Sequence, residues 1–418
     1  MFRELSDLVK GNVPGQLVIQ YSDACNATCP QCELRVNLPF KRSRIDMDTM
    51  KRIIDASARN NIQALSFTGG EPLLYRKQII ELLQYAQKAG IRYTRTGTNG
   101  FMFQQSDQSE WESQIRKFAE ALSETGIYTF WISIDSAKPE VHEKMRGLPG
   151  VIKGIEKALP YFHENGLYPC ANLGINRNTG GWWTDTMAQN IHSDENNYLY
   201  EFFMTSFARF YSFVIDLGFG TVNACYPMSI ESSQNFNLEK VYGASSSDHI
   251  VNFTKDEKKA VYKALMDTIP SYRGKIRIFT PLCSLYEMIR YYGSGLTTGY
   301  SCRGGIDYFY IDAQTADTYP CGFRGNNNLG KFWEIDKKSF STKTFCRQCE
   351  WECFRDPSNL LGPFLELRYN PVKLAGRFLR DKEFFRYWWH DIRYQKACDF
   401  FNARIAPNYT KMGKFETA

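Results

Sequence analysis

Three cysteines within eight residues, Cys25-Asn-Ala-Thr-Cys29-Pro-Gln-Cys32, are the part of this chain best suited to chemistry. Thiolates this close suit an iron–sulfur cluster or zinc. Neighbours with two or three residues between them rarely reach disulfide geometry while sharing a third partner. Three thiolates also leave a four-coordinate metal one ligand short, and an iron with an open position can bind a reactant. A second thiol group lies far along the chain, at Cys302, Cys321, Cys346, Cys349 and Cys353. A hairpin is predicted between its first two members, with strand Asp307–Asp312, turn Ala313–Asp317 and return strand Thr318–Cys321. That hairpin brings Cys302 and Cys321 close. Cys170, Cys225, Cys283 and Cys398 are scattered. Cys170 and Cys225 sit in apolar strands and read as buried structural thiols.

Clustered cysteines without a secretory signal point to metal ligation in a reducing compartment, here the cytoplasm. The five histidines, His142, His163, His192, His249 and His390, show no zinc-like pairing with the first group. Spacing alone still leaves a four-cysteine zinc ribbon open for the second. The chain has 418 residues, 43% hydrophobic and 23% charged, enough for one large globular domain and a smaller one. A net charge of +6 is too mild to demand a nucleic-acid partner, and none is expected. No run approaches the length of about 18 apolar residues that a membrane helix needs.

The elements that must position these thiols repeat as strand, loop, helix. Strands are expected at Gln16–Tyr21, Ala64–Phe67, Ile91–Thr94, Tyr128–Ile134, Tyr168–Ile175 and Thr221–Tyr226, with amphipathic helices between them. This is a parallel α/β pattern, in which the loops after the strands build the site. The unusual residues fall there: the cysteines, Thr68-Gly69-Gly70-Glu71-Pro72, Thr98-Asn99-Gly100, and Ser133 with Asp135. Thr254 and Glu257 form a predicted capping box for a helix reaching Ile269. The expected organisation is an N-terminal helix or extension over 1–14, an α/β core over 15–235 with an insertion near 176–197, a connection and helix over 236–276, a hairpin with cysteine-rich loops over 277–357, and a basic, aromatic helical tail over 358–418. The polar stretch Ser229–Asn252 reads as a mobile connection. Trp182 and Trp183, in the insertion, read either as a cover for a pocket or as packing for the loop.

Cys25-x3-Cys29-x2-Cys32 after a first strand, with Gly-Gly-Glu after the second, resembles the radical S-adenosylmethionine enzymes over roughly residues 15–230. The resemblance implies a partial (β/α)6 barrel. It implies a [4Fe–4S] cluster on Cys25, Cys29 and Cys32 whose fourth iron binds S-adenosylmethionine. One electron then cleaves the sulfonium, and a 5′-deoxyadenosyl radical takes hydrogen from substrate. Gly69, Gly70 and Glu71 would hold the methionine amino group, Ser133 and Asp135 the ribose, and Arg146 the carboxylate, with Asn99 in the same cavity. Gln31 stands where many members have an aromatic residue.

The second group resembles the SPASM and Twitch extensions of these enzymes. Cys302, Cys321, Cys346 and Cys349 fit the order for one auxiliary [4Fe–4S] cluster. Cys353 is either a substitute ligand or a bystander, and a second auxiliary cluster stays open. Ala316 replaces the glycine usual in the hairpin. The implied substrate is a peptide, a small molecule or a lipid-like intermediate, and the implied electron donor is a flavodoxin or ferredoxin. The tail, with Lys373, Arg377, Arg380, Lys382, Arg386 and Arg393 among aromatics, reads as a packing helix or as a peripheral membrane contact. The alternative to an enzyme is a non-catalytic Fe–S or zinc scaffold that kept the fold.

Overall fold

The computed structural model describes residues 13–183, 195–227, 239–295, 299–336, 346–347 and 349–417. The helix expected over the first ten residues, and positions 184–194 of the insertion, lie outside the described residues. Seven parallel strands follow one another across a single sheet: β1 (Gly15–Ser22), β2 (Ile62–Gly69), β3 (Tyr93–Thr98), β4 (Thr129–Ser133), β5 (Cys170–Gly174), β6 (Thr221–Cys225) and β7 (Arg277–Ile278). Helices connect them in turn: α1 (Met47–Arg59), α2 (Arg76–Lys88), α3 (Trp111–Ser123), α4 (Pro139–Arg146) with α5 (Val151–Glu164), α6 (Glu195–Asp216) and α7 (Lys255–Thr268). Right-handed crossovers that always step the same way put every connecting helix on one face. The sheet curls around its other face, as in a barrel.

Alternation along the strands records that curl. Thr94 and Thr96, Phe130 and Ile132, Ala171 and Leu173, and Val222 and Ala224 are buried toward the helices. Arg95 and Gly97, Trp131 and Ser133, Asn172 and Gly174, and Asn223 and Cys225 are half-buried and face the lumen. The helix side is an aromatic and aliphatic core. Phe130 lies 6.0 Å from Phe118 of α3 and 5.6 Å from Phe162 of α5, ring centre to ring centre. The capping box opens α7 as expected, with Thr254 and Glu257 each bonding the other's backbone N–H.

The chain from Arg277, expected to open a second unit, begins as β7, an edge strand of this sheet. Helix α8 (Leu282–Ser294) then leads back across the molecule. β8 (Tyr308–Ile311) pairs in parallel with β1, and β9 (Thr318–Tyr319) pairs antiparallel with β8, so the hairpin extends the barrel sheet past β1. Ala316 takes a φ of 60° in its turn. An alanine there costs about 1 kcal/mol against glycine, and burying its methyl returns about 0.8 kcal/mol. The two nearly cancel, which is why the turn forms without the glycine.

The segment expected to be a mobile connection is, over its described part, a strut. Val241 and Tyr242 donate their backbone N–H groups to Gly322 O, and Glu33 N–H donates to Gly243 O. It therefore links the first cysteine loop to the hairpin. Trp182 and Trp183 pack onto Phe202 of α6, at 5.6 and 5.4 Å, and line no part of the central cavity. The tail divides into α9 (Glu352–Tyr369), α10 (Pro371–Arg380) and α11 (Lys382–Ala397). α11 is a packing helix: its buried Asp391 bonds Arg273 at 2.6 Å and Cys283 N–H at 2.8 Å. Beyond it the chain crosses the strand starts, where Ala403 bonds Tyr128 O and Tyr168 N–H. Among the described residues no helix is long and apolar enough to cross a membrane.

Candidate active site

The first three thiols hang from the loop that leaves β1. Arg42 fixes that loop. Its guanidinium donates to the carbonyls of Asp23 and Leu34 at 2.8 Å, Arg35 at 2.8 Å and Leu38 at 3.1 Å. Asp23 in turn accepts from Ser43 N–H at 2.5 Å. One side chain thus satisfies four carbonyls that no regular structure would pair. Arg42→Ala is expected to leave the barrel folded but to speed loss of iron from reconstituted protein several-fold, read as chelator-accessible iron over time.

The turn after β2 locks over the same loop. Gly69 has a φ of 139°, and a Cβ on Gly70 would meet Ala24 O at 2.2 Å. Gly70 N–H and Glu71 N–H bond Ser22 O and Ala24 O, both at 2.8 Å. The glycines are therefore needed for two backbones to touch. Glu71 is buried, and its oxygens accept from Leu73 N–H at 2.9 Å and Asn99 N–H at 2.6 Å. Burial pushes its carboxyl up to about 7 against those bonds. Asn99 also bonds Asn26 at 2.8 Å and reaches within 3.8 Å of Cys25 Sγ.

Asp135 and Arg146 meet as a buried ion pair, Nη2 to Oδ2 2.7 Å and Nε to Oδ2 2.9 Å. Burial works against the Arg146 charge, and Asp135 more than restores it. Gln31 donates to the same Asp135 oxygen at 2.6 Å, and its own Oε1 is buried without a protein partner. His142, which burial holds neutral by lowering it to about 3, accepts Asp135 N–H on Nδ1 at 3.1 Å. All these parts border one cavity of about 260 Å³. Its lining includes Cys25, Cys29, Cys32, Gly69, Gly70, Glu71, Asn99, Ser133, Asp135 and Arg146, every residue proposed from the sequence for the first cluster and S-adenosylmethionine.

The second group also assembles. The Cys321 thiol is raised by burial and by Cys302 and Cys346, and the Cys349 thiol by burial and by Cys321, Cys302 and Cys346. Cys302, Cys321 and Cys349 are buried in one cluster, and Cys346 packs against it. Cys302 N–H bonds Cys346 O at 2.9 Å. Cys353 packs against the same cluster, and the charged groups that act on it most are Glu352, Arg95 and Asp356. Both groups share one local device. The amide two residues on donates to sulfur in Cys25–Ala27, Cys32–Leu34 and Cys302–Gly304, each at 3.4 Å, and again in Cys321–Phe323 and Cys349–Trp351. Amides aimed at sulfur stabilise thiolates and tune a cluster's potential. Burial pushes Cys29 up to about 11 and Cys32 to about 12, so ligation would release protons. Among the described residues no three His, Cys, Asp or Glu side chains converge tightly enough to hold a single metal ion.

The far wall of the cavity holds residues that sequence reasoning passed over. Trp131, Asn172, Cys225, Tyr226, Tyr242, Trp351 and Glu352 line it. Cys225, read from sequence as structural, hydrogen-bonds Glu352, and Cys353 Sγ approaches Glu352 Oε1 at 3.6 Å. Burial lifts the Glu352 carboxyl to about 7. Trp351 joins the two regions: its amide serves Cys349 and its ring stacks on Tyr242, 5.4 Å away.

Comparison with known proteins agrees with this geometry. The chain is 32% identical over 148 residues to GTP 3′,8-cyclase of Alkaliphilus metalliredigens, covering 34% of this chain and 42% of that protein. It thus spans less than half the length of that relative. It is 22% identical over 335 residues to AdoMet-dependent heme synthase of Nitratidesulfovibrio vulgaris, covering 78% and 80% of the two. The crystal structure of Streptococcus suis SuiB bound to S-adenosylmethionine superposes with a TM-score of 0.50 at 16% identity, over 88% of this chain and 71% of that one, which speaks to the fold. Residues 19–176 match the model of the radical SAM superfamily, so this chain carries a radical SAM domain.

Proposed function

We propose that this protein performs radical C–H activation with one cluster at Cys25, Cys29 and Cys32 and a single auxiliary cluster at Cys302, Cys321, Cys346 and Cys349. The observation that carries it is one cavity joining the thiol tripod to a wall borrowed from the second thiol segment, Trp351 and Glu352. The residues fit the cofactors: three thiols with amides on sulfur, a buried Asp135–Arg146 pair, and the unpartnered Gln31 Oε1. When bound, a [4Fe–4S] cluster with S-adenosylmethionine supplies a 5′-deoxyadenosyl radical that takes a hydrogen atom from substrate. The similarity to an AdoMet-dependent heme synthase and to SuiB bound to S-adenosylmethionine supports S-adenosylmethionine as the cofactor.

This chain's own residues do the rest. Gly69, Gly70 and Asn99 shape the methionine end, and Asp135, with Gln31 and Arg146, orients the nucleoside end. Trp131, Tyr242 and Trp351 wall off water from the reacting carbon. Glu352, with Cys225 on its carboxylate, is placed to accept a proton from substrate near neutral pH. Cys302, Cys321, Cys346 and Cys349 would hold a second cluster beside Trp351, which would supply an electron acceptor there, with a flavodoxin or ferredoxin as the external partner.

Anaerobic reconstitution tests the reading. The wild type is expected to hold about eight irons per chain, to contain no zinc, and to form 5′-deoxyadenosine on reduction with S-adenosylmethionine. Cys349→Ala should lose the auxiliary half of the iron, and Cys353→Ala should keep all of it. Full iron without 5′-deoxyadenosine would favour a non-catalytic scaffold. Iron loss in Cys353→Ala would return that residue to the ligand set.

A further inference from the structure

Helix α10 has its apolar stripe on the wrong side for a globular domain. Leu374 and Arg377 face the protein. Leu374 packs with the cluster of Phe384 and Phe385, and Arg377 bonds Glu366 at 2.9 Å over the ring of Tyr300. A helix advances 100° per residue, so Val372, Ala375, Gly376 and Leu379 share the opposite face. That face is turned to solvent: Val372 is 81% exposed and Leu379 70%, and α10 buries none of its residues. Just before it, Tyr369 is 69% exposed and Leu367 52%. Soluble helices point such a stripe inward, and an exposed apolar patch marks a contact surface.

Its rim says what the contact is. Lys373 and Arg380 flank the stripe on α10, with Arg368 just before the helix and Lys382 just after it, and the nearby acids are committed. Glu366 is taken by Arg377 and Tyr300, and Glu383 by Arg386. An apolar stripe bordered by long cationic side chains is the pattern of a helix lying in a bilayer interface, where the side chains reach the headgroups. Each basic residue close to an anionic surface adds to the binding. A second copy of this chain would fit worse, because a two-fold contact lays the same cations against themselves.

We propose that the exposed α10 face seats this protein on an anionic lipid surface. The inference stands apart from the chemistry in the barrel.

Co-sedimentation of the reconstituted protein with phosphatidylcholine vesicles, with and without phosphatidylglycerol, tests it. Binding is expected to the phosphatidylglycerol vesicles, to weaken with added salt, and to be slight on pure phosphatidylcholine. Val372→Glu with Leu379→Glu should lower the partition coefficient by about tenfold or more, with unchanged helical circular dichroism. Lys373→Glu with Arg380→Glu should lower it on anionic vesicles alone. The proposal is overturned if both vesicle types bind equally or neither binds, or if the glutamate variants bind as well as the parent. A concentration-dependent dimer that dissolves in Val372→Glu/Leu379→Glu, without vesicle binding by the parent, would assign the face to a second copy instead.

Discussion

Asp135→Ala is expected to lower stability by about 3–5 kcal/mol, because it strands the Arg146 guanidinium, 7% exposed, without its counter-charge. The loss has a second component. Gln31 and Arg146 both direct donors at one Asp135 oxygen, and the Asp135 backbone is pinned by His142 and Asn176. Removing the carboxylate therefore releases the cavity wall from the Cys29–Cys32 side as well. Arg146→Met combined with Asp135→Leu, which removes both charges, should regain much of the stability while failing to retain S-adenosylmethionine. Thermal midpoints and equilibrium dialysis separate the two effects. Equal stability of all three proteins would mean that the pair is solvated rather than buried. The two sites are in contact, so their energies are expected to be strongly non-additive.

The second large effect belongs to Glu352. Glu352→Gln should leave 5′-deoxyadenosine formation intact and slow product formation by about 10²–10⁴, the usual worth of a positioned acid or base. The same change should stabilise the fold at alkaline pH. Burial raises this carboxyl from 4.5 to about 7. As pH climbs from 4.5 through 7 the unfolded chain loses its proton first, so stability falls, and the penalty is complete above 7. It amounts to up to about 3 kcal/mol. Glutamine carries no such penalty. Its thermal midpoint should match the parent near pH 5 and exceed it near pH 8. A pH-independent difference would remove the ionisation argument, whereas unchanged product formation would remove the catalytic one. Destabilisation kept at a working site is a familiar trade.

Residues that act within one loop were readable in the sequence. The cysteine spacing, Gly-Gly-Glu and the capping box are local, and each stands where spacing placed it. The order of the six expected strands also followed from alternation of strand and helix. β3 came out shifted, at Tyr93–Thr98 rather than Ile91–Thr94, because it offers no apolar run. Thr94 and Thr96 fill its buried side, and Arg95 and Gly97 its lumen side. The Cys225–Glu352 contact was illegible for a different reason. It joins β6 to the start of α9, and nothing in either segment names the other. The polar strut around Tyr242 misled in the same way: its composition is that of a loose loop, but its backbone is tied at both ends to partners distant in sequence.

The floor of the barrel adds a constraint of timing. Ala403 bonds the chain just before β4 and β5, Tyr128 OH donates to Phe400 O across 272 positions, and Arg404 bonds Ser123 O across 281. Arg277, at the start of β7, is capped by the carbonyls of Asn402 and Ile405. A ribosome delivers the cysteine loop well before this floor. Until then the strand starts stand open to water, and the contacts that close them carry the largest loop-closure cost. The nascent barrel is thus a vessel whose bottom is fitted after its contents can be loaded, and truncations near Ala403 should yield chains that bind iron yet fail to hold a closed core.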